Sequence, residues 1–260
     1  MTICCLHDKK TIEEVLRKNV YLNIYGIGDL DDFFWPYTIW YAEKNDSDIR
    51  AIALLYFGMS LPTLLALSDM IDDMAYLVQS ISHLLPDKFS AHLSPGVESA
   101  LKEDYRIECR GKYLKMGLTD RTVIDAYDSN GVVTLEIDDL NEIMEFYHKS
   151  HPGNWFDPRM LETKRYFGAR WDDALVSVAG IHVYSEKYKV AALGNIATAP
   201  SYRNRGYASR VTAKTCQELL NRVSHVGLNV KADNAAAVVC YEKLGFEKIA
   251  SYNEYMIERK

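Results

Sequence analysis

Arg203, Arg205, Gly206, Asn234 and Tyr241 have the types and spacing to hold a phosphorylated ligand and to move a proton beside it. The run Arg203-Asn204-Arg205-Gly206-Tyr207-Ala208-Ser209 lies between a predicted strand, Ala191 to Thr198, and a predicted apolar-periodic helix, Ser209 to Val223. Gly206 lets the main chain approach a ligand without a Cβ. The first N–H groups of the following helix lack internal partners and carry positive dipole character. Two guanidinium groups add permanent charge in a shape that matches phosphate. The loop therefore reads as a diphosphate site, although R-x-x-G-x-A alone is a weak pattern.

The residues after the loop strengthen that reading. Gly227 to Lys231 is a short strand, and Asp233-Asn234 opens a second helix that runs to Leu244 and stops at Gly245, a C-terminal cap. Asn234 and Tyr241 are seven residues apart, so two helical turns put an amide and a phenol on one face. A phenol, with a free pKa near ~10, arrives protonated at neutral pH and can give a proton to a leaving group. Cys240 is Tyr241's neighbour, and helical geometry turns it about 100° away.

The segments LGNIATAPSYRNRGYASRVTAKTCQELL and LNVKADNAAAVVCYEKLGFEKI resemble the acyl-CoA-binding half of a GNAT superfamily N-acetyltransferase, over residues 135 to 260. The resemblance implies that the backbone of Asn195, Ile196, Ala197 and Thr198 holds the pantetheine arm. It also implies that the Arg203 to Ser209 loop cradles the pyrophosphate, that Asn234 contacts pantetheine, and that Tyr241 is the acid. Asn229, on the strand between the two helices, is counted with the cofactor contacts. Many relatives carry a Glu just before the pantetheine strand, where this sequence has Gly194. His182, in the preceding strand, is the candidate base, acting through water. Trp155 and Phe156, in the loop after a helix predicted over Asp138 to Ser150, are the candidate acceptor contacts. The glycine N-acyltransferase-like branch is a further resemblance of this half.

Composition fits a globular protein. The chain has 260 residues, 48% hydrophobic and 25% charged, with a net charge of −6 and no basic stripe, which argues against a general nucleic-acid surface. No apolar run is long enough to span a bilayer, and no long apolar leader opens the sequence, so a cytoplasmic protein without membrane attachment is expected. Of five cysteines, Cys4 and Cys5 are adjacent and Cys109, Cys216 and Cys240 are scattered; none shows metal-ligand spacing, so no metal is expected.

The first half repeats the element order of the second: strands around Trp40, Ala51 and Thr63, a helix from Asp69 to Leu85, then a strand, a helix candidate at Gly96 to Asp104 and a long strand. Asp69, Asp72 and Asp73 stand where the second copy has its arginines, and they would repel a diphosphate. The expected fold is α/β: two GNAT-like domains in tandem, each a mixed, largely antiparallel sheet with flanking helices. Residues 1–119 form a degenerate domain without a coenzyme A site, 120–134 a linker, and 135–260 the catalytic domain. The expected activity is transfer of an acetyl group from acetyl-CoA to a primary amine of a small molecule or peptide. A longer-chain acyl transferase and a non-catalytic acyl-CoA sensor are the alternatives.

Overall fold

A computed structural model describes residues 2–45, 48–154 and 156–260. The chain divides into two compact units: Met1–Lys115, Val230–Asp233 and Lys248–Lys260 form unit 1; Met116–Asn229 and Asn234–Glu247 form unit 2.

Unit 1 opens with strand β1 (Thr2–Leu6) and helices α1 (Lys9–Leu16) and α2 (Ile24–Gly28). Asp8 caps α1, its carboxylate accepting from the Thr11 N–H. Then come β2 (Thr38–Asn45), β3 (Asp48–Tyr56), β4 (Thr63–Ala66), α3 (Ile71–Ser80), β5 (Lys88–Leu93) and the long β6 (Tyr105–Leu118), which belongs to this unit as far as Lys115. The helix candidate at Gly96 to Asp104 is only a short 3-10 turn, Val97–Leu101. Strands β1 to β4 are mutually antiparallel, and β4 and β5 run parallel with α3 as their crossover. Their apolar residues, including Leu55, Leu64, Phe89 and Leu93, pack against Met74, Leu77 and Val78 of α3.

Unit 2 repeats this order. It contains α4 (Thr122–Ala126), β7 (Val132–Thr134), α5 (Leu140–Ser150), β8 (Phe167–Trp171), β9 (Ala174–Ser185), β10 (Val190–Thr198), α6 (Tyr207–Leu220), β11 (His225–Lys231) as far as Asn229, and α7 (Ala235–Lys243). Strands β7 to β10 are antiparallel, and β10 and β11 are parallel with α6 between them. Each unit is thus an antiparallel meander closed by one parallel crossover, the tandem α/β architecture that the element order predicts.

Two features depart from the sequence expectation. The 120–134 segment is not a bare linker, because it holds α4 and β7. Val132–Thr134, three β-prone residues after the turn at Gly131 (φ 78°), pair with Phe167–Ala169. The last strand, β12 (Phe246–Arg259), carries Lys248–Lys260 into unit 1, where it lies between β5 and β6 and pairs antiparallel with β5 from Asn253–Leu93 to Glu258–Lys88.

The two parallel crossovers differ where it matters. In unit 1, β4 stays paired with β5 along its whole length, and the ladder runs on: Ser94 N–H donates to the Ala66 carbonyl at 3.1 Å and Ser68 N–H to Ser94 Oγ at 3.0 Å. In unit 2, pairing of β10 with β11 stops at Leu193–Leu228, although β10 continues to Thr198. A bulge at Asn195-Ile196, with Asn195 in the left-handed region (φ 56°), carries the rest of β10 away from β11. Among the described residues no helix is long and apolar enough to cross a membrane, and no cluster of three or more His, Cys, Asp or Glu is placed to hold a metal.

Candidate active site

The β10 edge left without a β11 partner forms one wall of a cavity of about 710 Å³. Ile196, Ala197 and Thr198 supply that wall. Arg203, Asn204 and Gly206 to Ser209 supply the loop and the first turn of α6, and one face of α7, including Cys240, Tyr241 and Lys243, closes the other side. All of these residues lie in unit 2.

The loop takes its shape from two left-handed residues, Asn204 (φ 60°) and Gly206 (φ 80°). Gly206 is the N-cap of α6, and a Cβ there would meet no atom within 4 Å, so backbone conformation rather than space favours glycine. Within α6, the Arg210 N–H is bonded to the Gly206 carbonyl, while the first-turn N–H groups before it have no intrahelical acceptor. The Arg203 Nε–H donates to the Thr198 carbonyl at 3.3 Å, tying loop to strand. Arg205 does not line the cavity; its guanidinium stacks 5.4 Å from the Tyr202 ring.

Tyr241 is 8% exposed and reaches the cavity with its ring 6.0 Å from that of Phe246. Cys240 lines the same cavity despite the expected 100° offset. Burial pushes its thiol above the usual range against the hydrogen bond to Ser209 Oγ at 3.2 Å, which keeps it protonated and a poor nucleophile. Asn234 is exposed and caps α7, its Oδ1 accepting from the Ala237 N–H at 3.2 Å. Asn234 and Asn229 are not among the cavity-lining residues. Tyr202, Lys243 and Ala235 to Ala237 are lining residues that sequence reasoning missed; the spacing Ala236, Val239 or Cys240, Lys243 was the available signal.

A second group sits beside the bulge, off the cavity. The Asn195 side chain points away from it: Nδ2 donates to Tyr166 Oη at 2.8 Å, and Oδ1 lies 3.2 Å from His182 Nε2. Tyr147 Oη donates to the Asn195 carbonyl at 2.6 Å, and Ser177 Oγ to that of Ala197 at 3.0 Å. Phe156 packs 5.4 Å from the Tyr147 ring and 5.5 Å from the Tyr166 ring. Trp155 lies outside the described residues.

The same group accounts for Gly194. Gly194 and Gly180 are cross-strand partners, and each seats a ring: a Cβ on Gly194 would fall 2.2 Å from His182 Cδ2, and one on Gly180 2.2 Å from Tyr166 Cε1. The imidazole occupies the room of the side chain that residue 194 lacks. Burial lowers the His182 pKa, the hydrogen bond to Asn195 opposes this, and nearby His151 lowers it further, so the ring is neutral at pH 7 and able to accept a proton. Gly194→Ala is expected to destabilise the protein by about 1–3 kcal/mol through overpacking, read as a lowered thermal midpoint. An unchanged midpoint would mean that the ring moves aside freely.

The order of elements, the splayed parallel pair and the glycine-capped helix agree with the sequence comparison, in which residues 133–246 match the family described as Acetyltransferase (GNAT) family. The C-terminal half is a GNAT acetyltransferase domain. Its sequence is similar to the [Ribosomal protein bS18]-alanine N-acetyltransferase of Salmonella typhimurium, 28% identical over 131 residues, covering 48% of this chain and 86% of that protein. It is also 36% identical over 111 residues to an uncharacterised protein of Mycobacterium leprae, covering 40% of this chain. The aligned region spans 29% of that relative's length. A tandem GNAT protein from the clavulanic acid biosynthesis pathway superposes over 99% of this chain and 98% of its own, with a TM-score of 0.58 and 14% identity, which establishes a shared tandem GNAT fold.

Proposed function

We propose that the protein is an N-acetyltransferase that moves an acetyl group from acetyl-CoA to a primary amine of a small molecule or peptide, with unit 2 as the donor-binding unit. The observation that carries this reading is the cavity itself, in which the partnerless edge of β10, the Gly206 loop and Tyr241 share one space. These features fit the donor. An extended pantetheine arm can add to the strand edge as a further strand would, and the α6 N-terminus offers N–H groups and positive potential to a diphosphate. The bS18 relative acts on a protein alanine, as its name states, which supports an α-amine as acceptor. Unit 1 is assigned no donor site, because its β4 and β5 ends remain zipped and Asp72 and Asp73 occupy the first turn of α3.

When bound, acetyl-CoA supplies the acetyl thioester. The chain's residues do the rest. The strand and loop position the donor so that the amine attack is effectively intramolecular. As the C–N bond forms and the C–S bond breaks, Tyr241 gives its proton to the sulfur. His182 takes the proton that the amine loses, directly or through water.

The test is thermal stabilisation by acetyl-CoA, by longer acyl-CoAs and by NAD, for the wild type and for Gly206→Glu, with circular dichroism as the folding control. A donor at 100 times its dissociation constant adds about 2.7 kcal/mol. Stabilisation by acyl-CoA alone, lost in the variant, is the expected result, and a preference for long chains would favour the longer-chain alternative. No shift with any acyl-CoA sinks the donor assignment.

A further inference from the structure

Charge in the cavity has one sign. Arg203 and Lys243 line it, and among the described residues no Asp or Glu does. Neither cation has a carboxylate partner among those residues: the Arg203 Nε–H is turned to the Thr198 carbonyl at 3.3 Å, and the Lys243 side chain is exposed at the last turn of α7. Yet the chain carries 36 acidic residues against 30 basic ones, and exposed cations elsewhere are paired, Arg50 with Asp73, Lys149 with Glu145 and Arg222 with Glu186. Helix geometry places the two cations on opposite walls. Ala236, Cys240 and Lys243 share one face of α7, and Cys240 meets Ser209 Oγ, in the first turn of α6, at 3.2 Å. Lys243 stands one turn beyond that contact, about 5–6 Å away between Cβ atoms, with its ammonium on a flexible four-carbon stem. Burial pushes the Cys240 thiol up, and the Ser209 hydrogen bond and the nearby Lys243 charge oppose it.

We propose that Lys243 is a specificity-determining residue of the donor site, whose ammonium holds the ribose 3′-phosphate of coenzyme A and so distinguishes the coenzyme from its 3′-dephospho form. The identity of the donor rests on the acetyl-transfer reading above. Coenzyme A carries two separate anionic groups, a diphosphate and a phosphomonoester. The α6 N-terminus and Arg203 take the first, on one wall. The second, with a charge of about −1.5 to −2 at pH 7, needs a cation of its own, and Lys243 supplies it from the wall opposite. A lysine suits the task, because a compact charge on a flexible stem can follow a group that projects toward solvent. The absence of a lining carboxylate means that no like charge repels either phosphate.

The experiment is calorimetric titration of the full chain with acetyl-CoA and with acetyl-3′-dephospho-CoA at low salt, for the wild type, Lys243→Met, Lys243→Arg and Arg205→Met, with unliganded thermal midpoints as the folding control. The wild type is expected to bind acetyl-CoA about 10-fold more tightly than the dephospho form, the size of one hydrogen bond to a charged group. Lys243→Met keeps the apolar stem and deletes the charge. It should weaken acetyl-CoA to the level of the dephospho form and leave the dephospho form unchanged, whereas Lys243→Arg should keep the preference. Arg205→Met, at the neighbouring cation that does not line the cavity, should keep it too. Equal binding of the two ligands by the wild type overturns the proposal and leaves the acetyl-transfer reading standing. So does a Lys243→Met that weakens both ligands alike, since its ammonium would then serve the diphosphate, and so does a preference lost in Arg205→Met and kept in Lys243→Met. A wild type that binds neither ligand overturns this proposal and the reading beneath it together.

Discussion

Tyr241→Phe is expected to lower kcat for acetyl transfer by about 10²- to 10⁴-fold, the range of a positioned general acid, while acetyl-CoA affinity stays within a factor of about two. The separation follows from where the ring stands. Tyr241 is 8% exposed, and its aromatic face packs near Phe246, so the change to phenylalanine keeps volume and packing and deletes only the hydroxyl. Donor binding is assigned mainly to the β10 edge and the Gly206 loop, which the substitution leaves alone. A loss that appears in kcat with an unchanged thermal shift by acetyl-CoA is the signature of a group acting in the transition state. Unchanged turnover removes Tyr241 from the mechanism, and a folded wild type that binds acetyl-CoA without turnover toward any amine makes the protein an acyl-CoA sensor.

The second large effect belongs to unit 1. Asp29 and Lys115 are both buried, Lys115 at 2% exposure, with its Nζ 4.8 Å over the Tyr25 ring and 5.6 Å from that of Tyr252. Burial pushes the Asp29 carboxyl up to about 8, against the pull of Lys115, and pushes the Lys115 amine down to about 7, against the pull of Asp29. The folded value of Asp29 lies above its ordinary 3.8, so its contribution to stability is complete below that pH and is lost as the pH rises to about 8. The folded value of Lys115 lies below its ordinary 10.5, so its contribution is complete above that pH and is lost as the pH falls to about 7. Together they give a stability minimum between pH of about 7 and 8, with gains on either side. Asp29→Ala leaves Lys115 buried and is expected to keep the loss of stability as the pH falls to about 7, whereas Asp29→Leu with Lys115→Met is expected to be neutral or stabilising by about 1–4 kcal/mol and to flatten the minimum. Urea midpoints at pH of about 5, 7.5 and 9.5 decide the matter, and equal losses in the single and double variants would remove the buried pair as the cause.

The parts of the site that were legible in the sequence are those set by local rules. Gly206 before an apolar-periodic run marks the approach to a helix, and α6 begins at Tyr207, two residues before the expected Ser209. Leu244-Gly245 marks a stop, and α7 ends at Lys243. Repeated element order predicted two copies of one architecture, which the strand pairings of each unit display. Long-range packing hid the rest. Regular alternation along β10 says nothing of the bulge, yet one extra residue reverses which side a residue faces, so Asn195 turns toward Tyr166 and His182 while Ile196 to Thr198 line the cavity. Gly194 reads as a missing carboxylate until the His182 ring, brought in by the neighbouring strand, is seen to fill its place.

The route of β12 sets an order for making the protein. Lys248–Lys260 complete the first unit's sheet, so the strand that satisfies the exposed edges of β5 and β6 leaves the ribosome only after the whole of the second unit. Until then the amino-terminal unit carries two open edges, the state in which strands pair with the wrong chain. The second unit's own sheet, β11-β10-β9-β8-β7, needs no such late piece. The half that the ribosome delivers first is therefore the half that finishes folding last.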